Sequence, residues 1–286
     1  DRSVSRGLGD VYKRQIMNRF RKENKSVIFI SHDLDEIMEV CDTLTVLRDG
    51  KIIRTFEKAE FEAGAIRASM IGRELQGDYY RSDFQASSQP EVALDVRNLV
   101  YEDRLKGISF QVHKGEIVGI GGLAHCGMHS PGKVCFGALK PEEGSVTVED
   151  GTIIDSPAIA MKKRVGYVSK DRDVESLCLN ASIEDNISIA GMSEFAINNF
   201  LILKNREKKY VNHQIEELSI KCAGRDQSVS QLSGGNKQKV VFGKWIGCGS
   251  EILILDCPTR GVDIGVKQAM YQLMAVSYTH LRAHET

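Results

Sequence analysis

The chain has 286 residues, enough for one large domain or two small ones, and its 38 basic and 39 acidic side chains leave a formal net charge of -1. That balance argues against nucleic acid or an anionic membrane surface as the main partner. An apolar share of 42% allows a packed core, yet no apolar run approaches the roughly 18 residues that span a bilayer.

The first fifteen residues, DRSVSRGLGDVYKRQ, show no apolar periodicity and no apolar stretch of a signal peptide. The last eleven, VSYTHLRAHET, break the preceding pattern just as abruptly. Both resemble translated adapter or vector DNA, so segments 1–15 and 276–286 are expected to lie outside the native fold. His280 and His284 stand at i, i+4, but in the order H-x-x-x-H-E and without a third ligand.

SVIFIS at 26–31 reads as a short buried parallel strand. Leu34, Ile37, Met38 and Cys41 then recur at helical spacing. TLTVLRDGKIIRTFE follows as a hairpin turning at Asp49-Gly50, then a helix near 59–75. Residues 76–91 are polar, carry a proline near their end and read as a linker.

A second block, 92–275, opens with strand patterns through GEIVGI. GSVTVEDGTII predicts a second Asp-Gly hairpin, and RVGYVS a strand. Residues 182–223 read as mostly helical, a helix is expected over 233–246, and EILILD as a buried strand. Alternating strands and helices give an α/β layer. Seven scattered cysteines with no C-x-x-C predict buried free thiols in a reducing setting.

Asp256 falls at the C-terminal end of the EILILD strand, where open α/β sheets bind ligands. A carboxylate there holds Mg²⁺ beside a nucleotide or, in the plainer reading, caps the next turn. In QLSGGNKQK, Ser233 suits an N-cap and Gly234-Gly235 permit close backbone approach. The resulting helix N-terminus is either an anion site or an ordinary capped end.

Taken together, Leu-Ser-Gly-Gly, a helix, four apolar residues and Asp form an order that resembles the signature motif and Walker B strand of an ABC-type ATPase. PTRGVD resembles the D-loop region of the carbohydrate-import branch, whose ATPase subunit fuses two nucleotide-binding domains. VIFISHDLDEIMEVCDTLTVLRDGK resembles the end of a first such domain, with His32 as its switch histidine. The resemblance implies a P-loop NTPase-like cassette with a mixed sheet core, an antiparallel β subdomain and a helical subdomain, cut short near 275. It would be preceded by the C-terminal part of a first domain at 16–75. ATP and Mg²⁺ are the implied cofactors, with Gln231, Ser233, Gly234, Gly235 and Asp263 near nucleotide and Asp256 near the metal. Membrane permease subunits and, indirectly, an extracytoplasmic solute-binding protein are the implied partners, at the cytoplasmic face of the membrane.

The sequence departs from the family pattern twice. In register with the phosphate loop G-x-x-x-x-G-K-[ST], it reads GLAHCGMH: Gly122 and Gly127 remain, but Met128 replaces Lys and His129 replaces Ser/Thr. A lost charge-assisted contact costs about 1.5–3 kcal/mol. Gly132-Lys133 lies nearby without the glycine spacing or a following hydroxyl. Cys257 stands in place of the expected catalytic glutamate, and a neutral thiol is a poor base. It is expected to be a buried small residue. The second domain's own site should therefore be degenerate, while its signature completes a site on the first domain. A non-hydrolysing regulatory nucleotide-binding module is the alternative.

Lesser features are Tyr101, an adenine-stacking aromatic or a strand-edge residue, and Lys170-Asp171, in the place of the loop that couples nucleotide state to the permease. Trp245 and 240–242 read as core. His125, Cys126 and His129 resemble metal ligands by type, but lack a fourth.

Overall fold

A computed structural model describes residues 16–17, 19–20, 22–23, 25–31, 34–48, 50–71, 88–122, 126–197, 201–262, 266–267 and 270–271. These divide into two compact units, one within positions 1–83 and one from 84 onward. Both terminal segments expected to be foreign, and most of the linker, lie outside the described residues.

In the first unit, helix α1 (Leu34–Val40) precedes the antiparallel strands β1 (Thr43–Arg48) and β2 (Lys51–Glu57). The hairpin is the one expected: Gly50 has φ +74°, which glycine adopts without penalty. Where a helix is expected over 59–75, a 3₁₀ turn covers Lys58–Glu60 and helix α2 (Ala63–Ile71) follows, while 72–75 lie outside the described residues. Leu34, Val46, Phe56 and Ile66 form a small core.

The strand expected at 26–31 is not formed. Residues 25–31 carry no regular structure, and Ile28 and Ile30 are more than 90% exposed. An apolar run becomes a strand only where a neighbour accepts its backbone hydrogen bonds, and none of the described residues does so here.

The second unit begins with an antiparallel sheet in the order β4-β3-β5, from β3 (Val92–Tyr101), β4 (Leu105–His113) and, after helix α3 (Ser130–Cys135), β5 (Glu143–Val148). Alternating inward residues Leu94 and Val96 of β3 pair with Val148 and Val146 of β5, which gives that sheet its apolar face. The Asp150-Gly151 turn closes as expected, although its second arm makes only an isolated bridge, Thr147 to Ile153.

Helix α4 (Pro157–Lys162) leads into β6 (Val165–Val168), which is buried throughout and parallel to β9 (Ile252–Leu255). Between them lie a π-helical turn (Arg172–Ser176), α5 (Ile183–Ser188), α6 (Met192–Phe195), the short pair β7 (Ala196–Ile197) and β8 (Leu201–Ile202), α7 (Lys204–Glu217), a 3₁₀ turn (Val229–Gln231) and α8 (Gly234–Gly247). The mostly helical reading of 182–223 therefore holds, interrupted by one tiny hairpin.

Two expectations about strands need correction. GEIVGI forms no strand: residues 116–121 are without regular structure, with Ile117, Val118 and Ile120 exposed. Among the described residues the parallel sheet has two strands, and neither pairs with this run. For the same reason β9 is half-buried rather than buried, its second edge having no partner among the described residues.

The core is centred on α8. Val240, Val241 and Phe242 are fully buried and Trp245 nearly so, as expected. Each such large apolar side chain contributes about 1.5–3 kcal/mol on removal from water. Phe136 of the α3 end stacks on Tyr167 of β6 (5.6 Å between centroids) and meets Trp245 edge-on (5.5 Å). α5 is held by a capping box of Ser182 and Asp185. Its buried Asn186 is satisfied three times: it accepts from Cys178 N and donates to the carbonyls of Cys178 and Ser182. No helix among the described residues is long and apolar enough to cross a membrane.

Candidate functional site

The second unit has two corners of interest, the N-terminus of α8 and the C-terminal ends of the parallel strands. The first is the helix's own N-terminus. Ser233 has extended backbone (φ -62°, ψ 156°), and its hydroxyl accepts from Asn236 N and from the Asn236 side-chain amide. That leaves the other early N–H groups of the helix for solvent or a ligand. Ser233 and Gln231 are exposed, while Gly235 is buried.

Space explains the two glycines. A Cβ on Gly235 would stand 2.6 Å from Val266 Cγ2, and one on Gly234 would stand 2.9 Å from an Arg172 guanidinium nitrogen. Arg172 also donates to the carbonyls of Arg260 (2.7 Å) and Gly261 (3.3 Å). It thereby ties the turn after β6 to the turn after β9, beside the α8 N-terminus. Sequence reasoning missed this clamp; its only signal was a third charged residue following Lys170-Asp171.

The second corner lies at the C-terminal ends of the parallel strands. Asp256 follows β9, and its backbone N–H donates to Val168 O of β6 at 2.9 Å. Its side chain is only 9% exposed and accepts from His129 Nδ1 at 2.6 Å. The Tyr167 hydroxyl donates to its other oxygen at 3.4 Å. Lys170 Nζ donates to His129 Nε2 at 2.9 Å. An ammonium can only donate, so Nε2 is the acceptor and the ring's proton sits on Nδ1, facing Asp256. Burial, with help from Asp256, pushes the Tyr167 phenol well above its ordinary range, so it remains a hydrogen-bond donor at neutral pH.

The loop that carries His129 is fixed by Gly127. Its φ is +86°, and a Cβ there would stand 2.4 Å from the Arg104 carbonyl in the β3–β4 turn. That turn begins just after Tyr101, which ends β3 half-buried against the core. Gly122 is exposed, and Met128 stands beside His129, half-buried. No lysine follows Gly127, and the nearby Lys133 is paired with Glu175 at 2.6 Å.

Cys257 is exposed, contrary to the expectation of a buried small residue. It has φ +49°, a left-handed conformation unusual for a residue with a Cβ. The turn after β9 imposes this geometry and turns the thiol outward. Partial desolvation and the neighbouring Asp256 carboxylate push its thiol up from the ordinary value. The general expectation of buried thiols fails as well. All described cysteines are free, but only Cys135 is buried, and Cys126 and Cys178 are exposed like Cys257.

The structure thus brings together His129, Asp256, Cys257 and Lys170, and places Ser233, Gly234 and Gly235 at the other corner. Asp171 opens the π-helical turn, where its carbonyl accepts from Val174 N and Glu175 N. His32, His125 and Asp263 lie outside the described residues. The approach of Lys170 and His129 could not be read from sequence, because 41 positions separate them and no local pattern records the contact.

Mg²⁺ fits the second corner poorly. It demands oxygen ligands in octahedral array, and the corner supplies one carboxylate flanked by an imidazole and a thiol. The hydroxyl that would accompany the carboxylate is replaced by a ring that already holds it.

Three comparisons bear on the chain's relations. The ABC transporter family profile matches residues 105–260. The chain is 36% identical over 261 residues to the ribose import ATP-binding protein RbsA of Clostridium tetani, covering 91% of this chain and 51% of that protein. It is equally similar to the ribose import ATP-binding protein RbsA of Bacillus subtilis, covering 91% of this chain and 52% of that protein. The chain therefore spans about half the length of the curated relatives it matches. In fold it resembles a dimeric ATP-binding cassette solved in a post-hydrolysis state with ADP and Pi. The TM-score is 0.54 at 19% identity, over 64% of this chain and 82% of that one.

Proposed function

The chain belongs to the ABC transporter family, and from that premise we propose that it is part of an ATP-binding subunit that powers sugar import. In this reading the second unit works unequally. Its α8 N-terminus, Ser233 with Gly234-Gly235, completes an ATP site whose phosphate loop belongs to another nucleotide-binding domain. Its own phosphate-loop corner turns ATP over poorly or not at all. ATP with Mg²⁺ at the partnered site, membrane permease subunits, and an extracytoplasmic solute-binding protein acting through them complete the assembly. The working place is the cytoplasmic face of the membrane. The similarity to two ribose import ATP-binding proteins over nearly the whole chain supports a sugar-type solute.

The observation that carries the asymmetry is the 2.6 Å contact between His129 Nδ1 and Asp256 Oδ1. In a competent corner that carboxylate addresses a metal beside the nucleotide; here it holds an imidazole proton. Met128 offers phosphate no charge, and Cys257 offers water no base. The same contact favours the second reading, a regulatory nucleotide-binding module that does not hydrolyse. The capped α8 end, with Ser233 exposed, favours the transporter.

The deciding experiment is ATP hydrolysis by the complete protein that contains this chain, with Cys257→Glu beside wild type. We expect wild type to hydrolyse and Cys257→Glu to change the rate less than about twofold, since general-base help is worth about 10²–10⁴ only where the rest of the corner is competent. A rise of tenfold or more would show that the second corner binds ATP productively. No hydrolysis by either protein would leave the regulatory module as the function.

A further inference from the structure

The residues that make the second corner unsuitable for Mg²⁺ form a different donor set. A ring nitrogen of His129, an Asp256 oxygen and Cys257 Sγ all lie within 4.8 Å of one another, and Nδ1 is the nitrogen that faces Asp256, at 2.6 Å. We propose that His129, Asp256 and Cys257 form a three-ligand site for a borderline divalent metal ion, Zn²⁺ above all, in place of the hard cation.

The argument rests on donor chemistry, reach and access. Imidazole, carboxylate and thiolate together suit Zn²⁺ or Co²⁺, whereas Mg²⁺ and Ca²⁺ select oxygen. Zn²⁺ takes nitrogen and oxygen at about 2.0–2.2 Å and sulfur at about 2.3 Å, so ligand atoms on one tetrahedral ion stand about 3.4 Å apart. The His129–Asp256 pair, now at 2.6 Å, must open by less than about 1 Å, and the thiol must close by up to about 1.4 Å. Side-chain rotation at His129, 31% exposed, and at the outward-facing Cys257 supplies that movement. Three protein ligands leave a fourth position for water or an incoming group.

The proton ledger is simple. In the tautomer that the Lys170 contact sets, the ring proton sits on Nδ1. When the ion takes Nδ1, that proton moves to Nε2, and none is lost. The thiol gives up its proton to bind as thiolate. One proton is therefore released per ion. Lys170 opposes binding twice over: its charge repels the ion, and its donor must leave Nε2 once that atom carries hydrogen. Lys170 thus sets the affinity rather than contributing to it. The site needs no nucleotide, and its existence is independent of whether the corner hydrolyses ATP.

The test is a Co²⁺ titration of the full, metal-free chain followed by ultraviolet–visible absorbance, then displacement by Zn²⁺. The expected result is one strong site with a thiolate-to-cobalt charge-transfer band and tetrahedral visible bands, displaced by Zn²⁺ and indifferent to a thousandfold excess of Mg²⁺. About one proton should be released per ion. Cys257→Ser, a near-isosteric change at an exposed position, should abolish the charge-transfer band. His129→Gln should weaken Zn²⁺ binding by about 10–100-fold, and Lys170→Met should tighten it by about tenfold. A charge-transfer band that survives Cys257→Ser would place the ion on another of the seven cysteines and overturn the proposal. So would displacement of cobalt by Mg²⁺, or affinity unchanged in both His129→Gln and Lys170→Met.

Discussion

The α8 N-terminus and the His129–Asp256 corner lie in one unit, and Ser233 and Asp256 come from one stretch of motif, yet the two corners are finished differently. At α8, Ser233 is the cap of its own helix and stays exposed, while the two glycines let Val266 and Arg172 come close behind it. At the other corner every polar group has found a partner inside the protein: Lys170 to His129, His129 to Asp256, Tyr167 to Asp256. An unfilled arrangement keeps its binding capacity for something external, whereas a self-satisfied one must first break contacts. The comparison teaches that motif residues are not enough to judge a site; what already occupies them matters as much.

The largest expected effect tests the open end. Ser233→Arg in the complete protein should lower ATP hydrolysis by about 10²–10³-fold, the usual cost of removing a preorganised donor and filling its space. Steady-state phosphate release checks it, and a rate within twofold of wild type would break the comparison by making α8 a bystander. Next come the two glycines that shape the corners. Gly127→Ala forces a Cβ into a positive-φ position against the Arg104 carbonyl and should cost about 2–3 kcal/mol in urea unfolding. Gly235→Ala crowds the Val266 side chain, Cγ2 at 2.6 Å and Cβ and Cγ1 at 3.2 Å, but keeps a helical backbone and gains helix propensity, so its cost should stay at about 1–2 kcal/mol. A reversed order would mean that the α8 end, and not the loop, is the more constrained of the two.

The smallest effect is read from thiol alkylation of the folded chain. The thiolate is the reactive form, so a raised pKa slows reaction at every pH below the shifted value. Burial pushes Cys135 up to about 12 and shields it, so it should stay unmodified at pH 8 until the chain unfolds. Cys257, exposed but also raised, should react more slowly than an unperturbed exposed thiol and speed up only as pH climbs past the ordinary thiol range. Mass mapping of labelled peptides over time orders the sites. Immediate labelling of Cys135 would show that the core around α3 opens readily.

Local patterns carried much of this structure in the open. Asp-Gly dipeptides marked both hairpins, Ser233 marked the start of α8, and the run before Asp256 marked β9. Each of these is decided within a few residues, by turn chemistry, capping or apolar spacing. The failures share a different cause. Residues 26–31 and 116–121 have strand composition, but pairing is a property of neighbours, and composition alone does not supply one. His129 was legible as a missing hydroxyl, not as a partner for a carboxylate 127 positions away. Cys257 was read by residue type as a small core residue, whereas the left-handed turn that exposes it is set by the backbone after β9.

The uncovered run at 116–121 also governs how this protein behaves in a tube. Ile117, Val118 and Ile120 present apolar side chains together with backbone groups that no described strand engages. Such a segment is a template for β-pairing between molecules, and Glu116 is its only charged gatekeeper. Its colloidal lifetime should therefore shorten steeply with concentration, and light scattering would register the loss before any spectroscopic sign of unfolding.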